Sequence, residues 1–245
     1  MTKLEDDLSS LAVFPSTVAP PPPSAALMAS VSAMRPVRTR VPLWTLLIVA
    51  VATSVYPVVA LALYPLRRDL HALPKLWFAT VALAWLAGFV VPLTLALIPR
   101  AGQVLTDGAR AGRAALLVTL TLVLVGFLLT VDAPGITLVP TSVWEMFRHY
   151  WWGCVSFGLK VSIPAVLVAG VLLRKVAVSR LRALGAAIGA AGGALAGLAL
   201  HALCPVGGAL HVGFSHGGGV VIGALLGALW LPALIRIGGG SASAR

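Results

Sequence analysis

Six stretches of this chain stay apolar for the thickness of a bilayer, and nothing else in the sequence limits the fold as much. They cover roughly residues 41–64, 76–98, 114–131, 151–173, 184–203 and 212–235. A run of about 20 apolar residues is enough to span a membrane as a helix. Charged residues are 10% of the chain and apolar ones 59%, whereas about a quarter of a soluble domain is charged. The expected architecture is all-α and polytopic: a tail over residues 1–40, a six-helix transmembrane domain over 41–236 and a short second tail over 237–245. Too little chain lies outside the spans to build a catalytic module. The sequence also has no G-x-S-x-G, no H-E-x-x-H and no carboxylate pair spaced for acid–base work, so an enzyme is not expected.

The net charge of +11 suggests nucleic acid until its distribution is followed. With the N terminus placed in the cytoplasm, thirteen of the 18 basic residues fall in cytoplasmic segments, including Arg35, Arg38, Arg40, Arg110, Arg113, Arg174, Arg180 and Arg182. The other side holds Arg67, Arg68, Lys75 and Arg148, and Lys160 lies within the fourth span. A bias of this kind orients membrane proteins. The charge therefore predicts that both termini are inside, and direct nucleic-acid binding is set aside.

Residues 182–236 read as two membrane helices folded back on each other. Gly185, Gly189, Gly193 and Gly197 recur at a four-residue step that next lands on His201. Gly219, Gly223 and Gly227 follow in the returning half, with His216 just before them. Small residues at this spacing let helix backbones approach closely in lipid. The link, residues 204–211, is short enough to force a tight return and to gather His201, Cys204, His211 and His216 at one rim. Cys154 opens the fourth span at the same level, with His149 nearby. Thiolate and imidazole are natural ligands of copper and zinc ions, which makes Cys154, Cys204, His201, His211 and His216 a candidate sensing or metal site. A Cys154–Cys204 disulfide and an inert, wet helix rim are the other two readings.

The N-terminal tail carries two apolar stripes. Thr2 and Glu5 have capping-box spacing, and Leu4, Leu8 and Leu11 follow on one helical face. Four prolines, residues 20–23, form a stiff spacer before Leu27, Val31 and Met34 make a second face, stopped by Pro36. Helices this short are marginal alone in water, so the stripes read as partner-binding segments or as a tail that lies disordered or on the membrane. Lys160 is a charge deep in a span, a functional candidate by default; a stem that snorkels to the interface explains it equally well.

These features together resemble a known family. The carriers are the cysteine opening span four, the basic loop 174–182, a Gly/Ala-rich fifth span leading to histidine and Cys204-Pro205, and a glycine-bearing sixth span. They are similar to the NrsF-type multi-spanning anti-sigma factors of Gram-negative bacteria, over roughly residues 35–235 and most strongly from Trp152 onward. The resemblance implies an inner-membrane protein that holds an extracytoplasmic-function sigma factor inactive and releases it on a periplasmic stimulus. It also implies Cys154 and Cys204 as the sensor positions. The sigma-factor contact would then fall to Leu4, Leu8, Leu11, Leu27, Val31 and Met34, since the cytoplasmic loops are short and basic. The competing class is a small metal-ion transporter or channel, which needs polar residues along a pathway; below the rim the spans offer mainly Lys160 and Ser162.

Overall fold

The chain divides into two units, Met1–Pro36 and Val37–Arg245. The computed structural model describes residues 24–25 of the first and 43–98, 106–133, 135–176 and 178–239 of the second. The tail positions Leu4, Leu8, Leu11, Leu27, Val31 and Met34 lie outside the described residues.

Among the described residues of the second unit six helices are long and apolar enough to cross a membrane: α1 (Leu43–Leu63), α2 (Lys75–Leu97), α3 (Gly108–Leu128), α4 (Val143–Leu172), α5 (Leu181–Leu203) and α6 (Ala209–Arg236). Two of them start well before the apolar runs, by six residues or more. α3 begins at Gly108 and not at residue 114, because hydropathy marks Arg110 and Arg113 as loop although arginine is a good helix former. α4 begins at Val143, with Ser142 as its cap: the Ser142 hydroxyl accepts from the Glu145 amide at 3.1 Å. Glu145 Oε2 in turn accepts from the Thr141 amide and hydroxyl at 2.7 Å each, a near relative of the capping box. The extra turns include a π-helical stretch, Met146–Trp151. A second π-helical stretch, Val212–His216, lies near the start of α6.

α5 is the axis of the bundle. It packs against each of the other five helices, most extensively against α6. Of its apolar window 83% is buried, against 22% for α1 and for α3. A helix enclosed on every side must be narrow, and the buried residues of α5 are mostly Ala and Gly. Along α6 the two backbones touch. A methyl group on Gly189 would lie 1.9 Å from the Gly223 carbonyl oxygen, one on Gly185 would lie 2.0 Å from that of Gly227, and one on Gly193 would lie 2.5 Å from Val220 Cα. Gly197 meets α2 instead, where a methyl would lie 2.3 Å from the Trp85 ring, and Gly219 faces Gly158 of α4. The perimeter is the reverse, with Leu47, Val51 and Val55 of α1 and Leu116, Leu117, Leu120 and Leu124 of α3 all exposed.

The connections collect at two ends. Strands β1 (Thr106–Asp107) and β2 (Val178–Ser179) pair in parallel and join the α2–α3 and α4–α5 connections. At the opposite end Leu138 bridges Val206, and the Arg67 amide donates to the Ala202 carbonyl at 3.0 Å. The remaining three connections thus meet around the α5–α6 turn, at what we call the cysteine end. Among the described residues most buried polar side chains lie here: Arg67, Asp69, His201, His211, Ser215 and His216, against Thr45, Thr53 and Ser162 elsewhere.

Candidate metal centre

The cysteine end is built by a sequence of local constraints. Cys204 precedes Pro205, and a residue before proline is pushed out of helical backbone; its φ of −76° and ψ of 118° end α5 there. Gly208 then takes a positive φ of 83°, a conformation glycine adopts without steric cost. The Gly208 amide donates to Asp132 Oδ1 at 2.9 Å, and a methyl on Gly207 would lie 2.1 Å from the same oxygen. Asp132 therefore seats the turn. α6 starts at Ala209 and passes at once into its π-helical stretch. In a regular α-helix residues five apart point about 140° away from each other. The wider π turn, with i→i+5 bonding, brings them back to one side. His211 and His216 profit from this: their ring centroids are 5.3 Å apart.

Four side chains converge as a result. Ligand atoms of Cys154, Cys204, His211 and His216 all lie within 4.8 Å of one another, and all four residues are buried. The two sulfurs are 3.6 Å apart. His211 Nε2 lies 3.5 Å from Cys154 Sγ and 3.4 Å from Cys204 Sγ. Zinc bond lengths of about 2.3 Å to sulfur and 2.0–2.1 Å to nitrogen give tetrahedral edges of about 3.8 Å between thiolates and about 3.6 Å between thiolate and imidazole. The three edges among Cys154, Cys204 and His211 fall within about 0.2 Å of those values, so these three donors have tetrahedral spacing, with His216 within 4.8 Å of each as the fourth.

The surroundings fit as well. The Ser215 hydroxyl lies 3.2 Å from His211 Nδ1 and donates to Met146 Sδ at 3.7 Å. With the hydroxyl proton on sulfur, Ser215 accepts from Nδ1–H, and the Nε2 lone pair then faces the thiols. Metal-binding histidines are held in this way by a partner on the other ring nitrogen. His216 Nε2 is buried and has no hydrogen-bond partner among the described residues. Buried polar atoms are rarely left so, because an unmet donor or acceptor costs about 1–3 kcal/mol.

His201 does not join the cluster. Its ring stacks on Phe78 of α2 with centroids 4.3 Å apart, and its Nε2 lies 3.2 Å from the Phe78 carbonyl oxygen. The short return does bring His201 to the same rim, but its ring faces Phe78 and Trp77 of α2, while Cys204 faces Cys154 and His211. His149 is exposed, beside Tyr150. Sequence reasoning missed Ser215 and Met146, although Ser215 stands one helical turn after His211. It also missed a lid over the turn. Arg67 donates to Asp69 through Nε at 2.5 Å and through its terminal nitrogen at 2.6 Å. The Thr137 hydroxyl donates to Asp69 Oδ2 and accepts from the Ala133 amide. The hydrogen bonds from Arg67 hold the Asp69 carboxyl below the usual carboxylate range, and Thr137 adds to the effect.

With this geometry in place, a family model fits the chain: NrsF, described as negative regulator of sigma F, matches residues 29–237. No curated protein and no solved structure matches it.

Proposed function

The chain belongs to the NrsF family of negative regulators of sigma F, and from that premise we propose a six-span inner-membrane anti-sigma factor that senses metal or thiol chemistry at its periplasmic end. Its partner is an extracytoplasmic-function sigma factor, held by the cytoplasmic tail through the stripes of Leu4, Leu8 and Leu11 and of Leu27, Val31 and Met34. Amphipathic helices of this kind suit a hydrophobic groove on a partner. The orientation rests on charge: Arg110, Arg113, Arg174, Arg180 and Arg182 belong to the end opposite the cysteines, and basic residues favour the cytoplasm. The protein regulates and does not catalyse.

The observation that carries the sensing half is the buried Cys154–Cys204–His211–His216 cluster. Its chemistry suits zinc, or copper in its softer state. Cys154 belongs to α4, Cys204 to the α5–α6 turn and both histidines to α6, so an ion held there ties α4 to the central hairpin. Its loss or replacement would loosen that tie and pass the signal along α4 and α6 to the cytoplasmic face. The transport alternative draws less support, since Thr53 and Ser162, two of the three buried polar residues outside the cysteine end among the described residues, are spent on the helix carbonyls of Val49 and Gly189.

The test is metal content and free-thiol count on the purified full chain. The expected result is one zinc or copper ion per chain, lost in Cys154→Ser and Cys204→Ser, each of which blunts the response in a promoter-reporter strain. Two thiols consumed as a disulfide, with no metal, would favour the disulfide reading. A metal-free protein with both thiols titratable, and a double variant that responds normally, would return the residues to packing. For the tail, Leu8→Asp or Val31→Asp should release the sigma factor with membrane insertion intact, and repression that survives deletion of residues 1–34 would sink the tail reading. Reporter fusions after Gly207 and Ser179 should read periplasm and cytoplasm respectively.

A further inference from the structure

A cavity of about 780 Å³ opens beside the cluster, walled by α1, α4, the α1–α2 connection and the end of α5. Its apolar lining includes Tyr56, Leu66, Phe157 and Leu203, and Cys154 and Cys204 form part of its wall. Tyr64, Leu66, Gly153 and Lys160, which line it, are exposed, so it opens on the perimeter of the bundle and not along the α5 axis. Three cations reach it: Arg67, Arg68 and Lys160. The single acid among its lining residues, Asp69, is already taken by Arg67 and Thr137. Arg68 and Lys160 are thus the cavity's cations without a carboxylate. The Lys160 ammonium lies 5.9 Å from the centroid of the Tyr56 ring, a contact that leaves the positive charge in place.

Position decides what can neutralise these charges. Lys160 follows Trp152, a residue of the exposed aromatic rim, by eight positions, or about 12 Å along a helix. A water-borne anion would have to shed its hydration to go so deep. An anionic phospholipid brings its charge on a molecule that already belongs there, and basic pockets between spans bind such headgroups. The volume lies in the range of sites that enclose most of a drug-sized ligand, about 300–1,000 Å³; it takes a headgroup and the start of the chains, and the remaining chain length lies along the exposed aliphatic face of α1.

We propose that this cavity is a binding site for one anionic phospholipid, its phosphate between Arg68 and Lys160 and its chains on the apolar wall beside Cys154 and Cys204. The proposal rests on the membrane reading given above and not on metal occupancy of the cluster. It also gives Lys160 a role beyond snorkelling to the interface.

The experiment uses the full chain in nanodiscs, with native mass spectrometry of retained lipid. Phosphatidylglycerol should be retained over phosphatidylcholine by about 30-fold, the scale that two basic residues give at an anionic surface. The Arg68→Gln/Lys160→Gln double variant should lose the preference, while Lys160→Arg should keep it and so control for misfolding. Metal content should stay the same in both variants, which separates failure of this proposal from failure of the sensing one. Equal retention of the two lipids, or a preference unmoved by the double variant, would overturn it. Displacement of the lipid by inorganic phosphate would reassign the site to a free anion and overturn it equally.

Discussion

The α5–α6 hairpin has a stem and a tip, and they solve opposite problems with the same two helices. In the stem, Gly185 and Gly189 press their backbones against Gly227 and Gly223, with no polar group placed for chemistry. The helices there are regular, and the four-residue step of small residues is kept. At the tip regularity is given up: Cys204 is extended, Gly208 has positive φ, and α6 opens into a π turn. Together the departures turn the chain so that Cys204, His211 and His216 come within reach of one another. The comparison teaches that the stem fixes distance and the tip fixes direction, and that the tip can bend because the stem does not slide.

The largest expected effect comes from breaking the stem. Gly189→Leu puts a side chain where even a methyl would sit 1.9 Å from a backbone oxygen, and overpacking against backbone has no rotamer escape. The variant should fail to accumulate as folded protein in membranes and should melt broadly after detergent extraction. Gly153→Leu is the control, because a methyl there meets nothing within 4 Å; its melting temperature should stay within about 2 °C of wild type, as surface changes usually do.

Next comes the tip. His216→Ala removes a ligand whose Nε2 has no other partner, so metal affinity should collapse while the stem, and with it the fold, survives. Metal content by mass spectrometry and melting temperature on one sample separate the two; a variant that keeps its metal would show that His216 is a spectator. Ser215→Ala should be milder, lowering affinity by about 10–100-fold, as loss of a supporting partner does. A competition titration with a chelator reads it, and an unchanged constant would mean that the Met146–Ser215–His211 chain does not set the imidazole.

How legible each part was in the sequence follows the same division. The stem could be read because helical periodicity is local: Gly185 to Gly197 announce a narrow face wherever the helix ends up. The tip could be read only as composition. Cys204, His211 and His216 were visible as donors, but His201 was placed with them because it stands at the same rim, and only its neighbours on α2, Phe78 and Trp77, show that it faces away. The π turn that pairs His211 with His216 has no periodic signature. Neither has the Arg67–Asp69–Thr137 lid, whose members lie on two separate connections and meet only once α5 has set the spacing. Six helices were legible because apolar length is a property of each run alone. The true start of α4 was not, since capping by Ser142 lies outside the apolar signal.

The smallest effect separates the lid from the cluster beneath it. Asp69 has its carboxyl held below the usual range in the folded protein, first by Arg67 and further by Thr137. A group whose folded pKa is depressed contributes stability that is present above its unfolded value, about 3.9 for aspartate, and that is lost as pH falls through the lowered folded value. Thr137→Val removes one of the depressing contacts and keeps the Arg67 pair. The folded pKa of Asp69 then rises toward the unfolded one, so the contribution shrinks and its acid loss begins at a higher pH. At neutral pH the cost is about one hydrogen bond, which for a chain of this size lowers the melting temperature by about 2–4 °C. The measurement is melting temperature against pH after metal removal, so that acid release of the ion does not enter, and the free ligands titrate alike in both proteins. If wild type and Thr137→Val lose stability along the same acid limb, Thr137 only supports the Ala133 amide. If metal affinity also falls in the variant at neutral pH, the lid and the cluster form one unit, and the tip reaches out to the α1–α2 connection.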